Sequence, residues 1–342
     1  MHVTLVPTGE EIEVEPRESI LDAALRAGLN LPHSCKAGRC GSCRARLVRG
    51  SVRYPHGRPL ALTAEEEASG EVLLCQARAD GPVSIETRQI RSVTDVQIRS
   101  LPCRVQRMRP LAPDVMGLWL RLPAVEPFAW QPGQYIDVML SGGRRRSFSL
   151  ANPPHDAGLL ELHVRRSGRG EFTSLVFGSM TEGTLLRMEG PLGQLTYRPG
   201  DGTVLLIAGG TGFAPMKALL RHVLETGIER RVVLYWGARA PEELYEHEWL
   251  QALAAREPRF SYVPVLSAPA VPGMLSGWVH EAVLEGEEDL AAADIYAAGP
   301  PEMIAAVRSE LPRYGADPAR IVFDSFEAAP DAQRRAAQAA QD

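Results

Sequence analysis

His33-Ser34-Cys35-Lys36-Ala37-Gly38-Arg39-Cys40-Gly41-Ser42-Cys43 is the stretch from which the rest of the chain can be read. Its cysteines follow C-x4-C-x2-C, and a fourth, Cys75, stands alone downstream in Leu73-Leu74-Cys75-Gln76. That spacing suits four thiolates converging on the two irons of a [2Fe–2S] cluster. The loop must wrap tightly, and Gly38 and Gly41 permit backbone conformations that a side chain forbids. Backbone N–H groups and the small hydroxyl of Ser42 can then point at the sulfurs and tune the potential. Zinc sites usually pair two short cysteine knuckles, whereas here the fourth cysteine is solitary. Cys103 has no partner in the sequence and reads as a core or surface thiol.

The loop is embedded in short alternating strands, Val3-Thr4-Leu5-Val6 and Ile12-Glu13-Val14, and a short helix from Ser19 to Ala27. Ser19 can cap that helix and Gly28 can end it. On these features, residues 1–93 resemble a plant-type ferredoxin domain, which implies a β-grasp fold with Cys35, Cys40, Cys43 and Cys75 as iron ligands.

The totals agree with a larger assembly of domains. A chain of 342 residues suggests two or three. Its apolar fraction of 45% and charged fraction of 23% are ordinary for globular protein. A net charge of −5 argues against generic nucleic-acid binding. No apolar run approaches the ~18 residues that span a membrane, and the opening residues lack the pattern of a signal peptide. A cytoplasmic protein, monomeric when free, is the expectation.

Residues 88–101 read as a polar connector. From 102 to about 198 the texture is strand-like, with Tyr135–Leu140, Ser147–Leu150 and Leu160–Val164 separated by glycine and proline turns. Strands at this spacing suggest an antiparallel barrel. From Thr203 apolar runs alternate with helical stretches: strand-like Val204–Ala208, Val232–Trp236, Tyr262–Val265 and Ile295–Ala298, helical Met216–Glu225 and Pro241–Ala255. This alternation indicates a parallel α/β sheet. The Ala- and Gln-rich segment 328–342 reads as frayed helix or disorder.

Within the barrel, Arg146-Ser147-Phe148-Ser149 is followed by His163-Val164-Arg165 and by Gly170-Glu171-Phe172-Thr173-Ser174. This series resembles the flavin-binding elements of the ferredoxin–NAD(P)+ reductase superfamily, R-x-Y-S then G-x-x-S/T. The resemblance implies FAD. Arg146 would hold its phosphate, where a planar bidentate donor fits. Phe148 would stack on the flavin ring, Ser149 would hydrogen-bond near N5, and Ser147 would belong to the same strand site. His163, Val164 and Arg165 would contribute further contacts. Gly170, Thr173 and Ser174 would open a helix whose N–H groups hold the pyrophosphate. The family usually has tyrosine where this chain has Phe148; stacking survives that change and a hydroxyl hydrogen bond does not.

Gly209-Gly210-Thr211-Gly212-Phe213-Ala214-Pro215 follows the strand at Val204 and precedes a helix. Strand–loop–helix context gives such a loop meaning: pyrophosphate can approach the backbone and rest on the helix dipole. The form G-x-G-x-x-P resembles the same superfamily, so Gly210, Thr211, Gly212 and Pro215 would bind nicotinamide dinucleotide. Ala298-Gly299-Pro300-Pro301-Glu302-Met303 is similar to the family's C-G-P-x-x-M element, with Ala298 in place of cysteine. It implicates Gly299 and Pro300. Phe326, in Phe323-Asp324-Ser325-Phe326-Glu327, resembles the aromatic residue near the flavin at the end of these proteins. Arg239 could hold a 2′-phosphate, whereas Glu242 and Glu243 would repel one, which favours NADH over NADPH.

The fold expected is therefore multidomain α+β and α/β: residues 1–93 a ferredoxin domain, 99–199 an antiparallel flavin barrel, 200–327 a parallel α/β nicotinamide domain. The order resembles reductase components of bacterial ring-hydroxylating oxygenases, and Arg146–His155 is especially similar to those of aromatic-acid dioxygenases. The order also resembles the reductase of CDP-6-deoxyhexose synthesis. Either implies NAD(P)H-dependent electron transfer through FAD and a [2Fe–2S] cluster to a partner, most simply a terminal oxygenase, with Phe148 and Ser149 at the reacting centre. A plain ferredoxin carrier and a degenerate nucleotide fold are the competing readings.

Overall fold

The computed structural model describes residues 1–29, 31–33, 36–87, 98–124, 128–156, 158–166, 170–268, 271–287 and 289–326. Cys35, the connector segment 88–97 and the expected disordered tail 328–342 lie outside the described residues. Two compact units divide the chain, Met1–Ile98 and Arg99–Phe326.

The first unit is a five-stranded mixed sheet in the order Glu11–Glu13, His2–Val6, Val83–Glu86, Arg44–Arg49, Glu71–Leu73. His2–Val6 and Val83–Glu86 run parallel, and the other neighbours are antiparallel. Helix Ile20–Arg26 packs its apolar face against the sheet, with Ile20, Leu21, Ala23, Ala24 and Leu25 buried. Ser19 caps it by accepting from the Asp22 N–H, and Gly28 follows with φ +81°. The helix start is tied to the segment around Cys75, since the Ile20 and Leu21 N–H groups donate to the Ala77 and Leu74 carbonyls. This is the β-grasp arrangement the sequence predicts.

The second unit begins with a six-stranded antiparallel sheet, ordered Arg145–Ser149, Tyr135–Met139, Leu185–Leu192, Arg99–Ala112, Val115–Arg121, Leu160–Arg165. A bridge between Leu150 and Leu162 joins its two ends and closes the barrel. Val105, Leu118, Ile136, Val138, Leu162 and Met188 fill the interior, as period-two strands with one buried face require. Helix Glu171–Gly178 packs there through Phe172 and Val176. Cys103 also lies in this core, where burial pushes its thiol up to about 12.

The rest of the unit is a six-stranded parallel sheet in the order Leu275–Ser276, Phe260–Leu266, Val232–Ala238, Val204–Gly209, Asp294–Gly299, Ile321–Ser325. Helices Phe213–Glu225 and His247–Arg256 join one core, and Val279–Gly286 and Pro301–Glu310 another. The strand Val204–Gly209 is buried throughout, as its continuous apolar run implied.

Three sequence-based boundaries change. The strand Arg99–Ala112 begins inside the expected connector. The helix after the glycine loop starts at Phe213 rather than Met216, because the 3-10 turn Gly210–Gly212 leads directly into it and Pro215 falls in its first turn, where the missing N–H costs nothing. The helix expected over Pro241–Ala255 is broken into a 3-10 turn, Pro241–Glu243, and helix His247–Arg256. Between them Leu244 is buried while Tyr245 and Glu246 take tertiary partners, described below. No helix among the described residues is long and apolar enough to cross a membrane.

Candidate functional site

Cys40, Cys43 and Cys75 are all buried in the first unit. Cys43 Sγ and Cys75 Sγ lie 3.1 Å apart, beyond the ~2.05 Å of a disulfide. The Ser42 N–H points at Cys40 Sγ at 3.5 Å, as expected of a loop that solvates thiolates with backbone donors. Gln76, next to Cys75, donates through Nε2 to the Lys36 carbonyl at 2.8 Å and so fastens the loop to the fourth cysteine's segment. Gly38 has φ +72°, and a Cβ there would lie 2.8 Å from Pro59 Cβ. A side chain is excluded on both counts. A close Cys43–Cys75 pair, with Cys40 buried on the same glycine-turned loop, fits an iron–sulfur cluster; Cys35, the expected fourth ligand, lies outside the described residues.

In the barrel, Arg146 and Phe148 occupy alternate positions of strand Arg145–Ser149, opposite Val138 and Ile136 of the neighbouring strand. They therefore share one face. Phe148 is half-buried and packs on Phe172 at a centroid distance of 5.1 Å. Ser147 faces the other way and donates to Asp137 Oδ1 at 2.6 Å. Ser149 is buried. The strand meets the start of helix Glu171–Gly178, because Arg144 Nη1 and Glu171 Oε2 pair at 2.7 Å. Gly170 is that helix's N-cap residue and has no side chain to cap with, and Thr173 turns its hydroxyl back to the Gly170 carbonyl at 3.0 Å. The first N–H groups of the helix form a donor set suited to a diphosphate, and Arg146 lies on the strand that Arg144 ties to that helix start. Ser174 is exposed on the same turn.

The nicotinamide elements converge. A Cβ on Gly209 would lie 2.6 Å from Met303 Sδ and 2.8 Å from Pro300 Cδ. One on Gly212 would overlap the Ala298 carbonyl oxygen. The Phe326 N–H donates to the Gly299 carbonyl at 2.8 Å. Gly210, Gly212, Gly299, Pro300 and Phe326, far apart in sequence, thus meet at the C-terminal ends of adjacent parallel strands, where ligands bind in open α/β sheets. Thr211 belongs to the same turn, and Pro215 is buried behind it. Trp236 supports the loop from below, its Nε1 donating to the Gly210 carbonyl at 2.9 Å and its ring stacked on Phe213 at 4.0 Å.

Arg165 spans the two halves of the unit. It pairs with Asp114 at 3.1 Å and with Glu243 at 3.1 Å, and a Cβ on Gly210 would lie 2.9 Å from its Nη1. A residue expected only at the flavin therefore also borders the dinucleotide loop. Arg239 is exposed, and its guanidinium is held by Glu243 Oε1 at 2.6 Å.

His163 is buried, with its side chain turned into a network that sequence reasoning missed. Its Nε2 lies 3.1 Å from Glu161 Oε1, and its Nδ1 lies 2.9 Å from the Tyr245 hydroxyl. Lys217 Nζ lies 2.9 Å from Glu161 Oε1 and 3.3 Å from Glu246 Oε1. Burial holds His163 below its ordinary value and keeps it neutral. Burial alone would raise the Glu161 carboxyl, but the His163 hydrogen bond and the Lys217 charge prevail and hold it at about 2. Besides His163, expected at the flavin from its motif, Lys217 alone left a trace in the sequence, as a lone cation in the apolar stretch Phe213–Leu220. Val164, between these polar neighbours, points into the barrel core.

Comparison with known proteins covers each region. The family description "2Fe-2S iron-sulfur cluster binding domain" matches residues 3–80, "Oxidoreductase FAD-binding domain" residues 102–197, and "Oxidoreductase NAD-binding domain" residues 206–309. The chain is 34% identical over 330 residues to CDP-6-deoxy-L-threo-D-glycero-4-hexulose-3-dehydrase reductase of Yersinia pestis, covering 95% of this chain and 98% of that protein. It is 33% identical over 318 residues to the terephthalate 1,2-dioxygenase reductase component 1 of a Comamonas species, covering 92% and 94%. Among solved structures, the Amycolatopsis cytochrome P450 reductase GcoB superposes with a TM-score of 0.82 at 33% identity, covering 95% of this chain and 98% of that one.

Proposed function

The chain belongs to the ferredoxin–NAD(P)+ reductase family, as a flavin and iron–sulfur oxidoreductase with FAD-, NAD- and [2Fe–2S]-binding domains, and on that basis we propose that it draws electrons from NADH and delivers them through its cluster to an oxygenase. A bound FAD would supply two-electron acceptance from a nicotinamide and one-electron release toward a cluster. The chain's residues supply binding and orientation. Arg146 and the N–H groups opened by Gly170, Thr173 and Ser174 hold the FAD phosphates. Phe148 offers a ring face and Ser149 a hydroxyl to the flavin; Ser147, His163 and Val164, whose side chains are engaged with Asp137, with Glu161 and Tyr245, and in the barrel core, would contribute through their strand backbone, and Arg165 through the side chain that borders Gly210. Gly210, Thr211, Gly212 and Pro215 receive the dinucleotide. Gly299, Pro300 and Phe326 bound the nicotinamide end, and Arg239 with Glu243 bounds the ribose. Cys35, Cys40, Cys43 and Cys75 ligate iron.

The observation that carries this reading is Arg165, whose guanidinium rests against Gly210 while its backbone belongs to a barrel strand. A flavin on the barrel and a dinucleotide on the glycine loop would then share one compact unit, as hydride transfer requires. An oxygenase partner is supported by the likeness to the reductases of a terephthalate dioxygenase and a cytochrome P450, and its aromatic-ring hydroxylating kind by the first of these. The likeness to the Yersinia hexulose dehydrase reductase favours the second reading, reduction of a deoxyhexose intermediate. Cytoplasmic residence and a monomeric free state complete the proposal.

Anaerobic titration with NADH tests it. Flavin and cluster absorbance should both bleach, with about two irons per chain. Flavin bleaching with an unchanged cluster, or zinc in place of iron, would contradict the relay. NADH-driven turnover with a purified Rieske-type oxygenase, and none with a hexose dehydrase, would support the oxygenase partner; the reverse result would favour the second reading.

A further inference from the structure

Tyr245 links the barrel to the glycine turn through a cluster of rings. His163 belongs to barrel strand Leu160–Arg165, Phe213 opens the helix after the turn, and Trp236 lies on strand Val232–Ala238. All three are buried, and Tyr245 packs on the core that holds Phe213 and Trp236. It meets each of them edge-on, Trp236 at 5.1 Å, His163 at 5.3 Å and Phe213 at 5.9 Å between ring centroids. Trp236 in turn donates through Nε1 to the Gly210 carbonyl at 2.9 Å.

The direction of the bonds follows from the charges. Glu161 is ionised and can only accept, so His163 Nε2 carries the proton and donates to it at 3.1 Å. His163 is neutral, which leaves a lone pair on Nδ1. Burial pushes the Tyr245 hydroxyl well above its ordinary value and keeps it protonated, so it donates to that lone pair at 2.9 Å. A hydrogen bond is directional where packing is not. It fixes the set of the tyrosine ring against which Trp236 rests.

The local chain is shaped for this reach. The helix expected over Pro241–Ala255 is interrupted at Leu244–Glu246, and helix His247–Arg256 starts without a side-chain cap while the Glu246 carboxylate goes to Lys217 at 3.3 Å. Strand Leu160–Arg165 thereby holds Gly210 twice. Arg165 borders its α-carbon directly, and His163 reaches its carbonyl through Tyr245 and Trp236.

We infer that Tyr245 is a positioning residue for the dinucleotide: through Trp236 it fixes the turn Gly210–Gly212 against the barrel strand that carries His163. The inference rests on the reading of that turn as the dinucleotide loop. The nucleotide then meets a turn already set in place, and less ordering is left for binding to supply.

The test uses the oxidised holoprotein with NAD+ as the probe, so that binding is read without turnover. Calorimetry gives the NAD+ Kd, and amide hydrogen exchange reads the order of Gly210–Gly212 directly. Tyr245→Phe removes only the hydroxyl. It should speed exchange across the turn and raise Kd about threefold to tenfold, the worth of one hydrogen bond to a buried acceptor. Trp236→Phe keeps a ring, loses the donor to Gly210 and should do the same. Tyr262→Phe is the control. Its hydroxyl lies 3.1 Å from His247 Nδ1, a like bond on strand Phe260–Leu266, one strand further from the turn. This variant should lower Tm as Tyr245→Phe does, yet leave Kd and exchange at the turn at parent values. A Tyr245→Phe protein that loses Tm with Kd and exchange unchanged makes the residue structural only and overturns the inference. Equal changes in Tyr262→Phe, a sign of general loosening, overturn it too. Parent Kd and exchange in Trp236→Phe break the link between Tyr245 and the turn, so that variant carries the test if Tyr245→Phe does not fold. A parent protein that binds no NAD+ overturns the reading of the glycine turn instead.

Discussion

Glu161 Oε1 lies 2.9 Å from Lys217 Nζ, joining a strand of the flavin barrel to the first helix of the nicotinamide half. Both side chains are buried. Removing one partner of such a pair leaves the other charge without compensation, which is costly. Glu246 and His163 complete the set from either side, so the contact fixes how the barrel strand meets the helix behind the glycine loop.

The pair makes a pH prediction. Glu161 ionises at about 2 in the folded chain against an ordinary 4.5. A carboxyl lowered by folding stabilises the fold above its ordinary value, and that stability is lost as pH falls through the folded value. Its contribution is thus complete above about pH 4.5 and disappears toward about pH 2. Glu161→Gln should lower Tm at neutral pH and flatten the acid limb by one proton's worth, about 1.4 kcal/mol per pH unit. Calorimetry of the two holoproteins across that range checks it; equal acid slopes would contradict the assignment.

Arg146→Ala should loosen the flavin. A charge-assisted contact to phosphate contributes about 1.5–3 kcal/mol, so retention after dilution should fall by tenfold or more. Flavin fluorescence in the filtrate reads this directly, and full occupancy would count against Arg146 as a phosphate ligand.

The parent protein should prefer NADH over NADPH, because Glu243 occupies Arg239 and places a carboxylate at the ribose end. Glu243→Gln should weaken that hold and raise kcat/KM for NADPH relative to NADH by about tenfold, or 1.4 kcal/mol. An unchanged ratio would remove Glu243 from cofactor selection.

Gly212→Ala probes close packing rather than backbone freedom, since φ at Gly212 is −58°. The added methyl must displace the Ala298 carbonyl, a strain of about 1–3 kcal/mol. NADH KM should rise while flavin content holds. Wild-type KM would mean the loops at Gly212 and Gly299 separate without consequence for binding.

The parts of this architecture legible in sequence are those written in local pattern. C-x4-C-x2-C, the strand–loop–helix around Gly210 and the capped helix after Ser19 each need only neighbouring residues. Pairings across the fold leave no such signature. Glu161 and Lys217 are 56 positions apart, and nothing near either foretells the other. The broken helix after Pro241 failed for the same reason: its composition favours helix, but Tyr245 and Glu246 are drawn to His163 and Lys217. The motif leads one to expect Arg165 at the flavin and gives no sign of its reach to Gly210, because that contact depends on how two separately patterned sheets pack.

The central claim is that electrons enter at the flavin and leave through the cluster, and Cys75→Ser tests it most directly. A neutral hydroxyl is a poor replacement for thiolate on iron, so the cluster should be damaged. The flavin and nicotinamide elements belong to the separate compact unit Arg99–Phe326 and should persist. NADH-dependent ferricyanide reduction, which can draw on the flavin, should therefore remain near the parent rate, while reduction of cytochrome c should fall to a small residue. Cytochrome c reduction at the parent rate in Cys75→Ser would mean that electrons leave from the flavin, and the relay proposed here would be wrong.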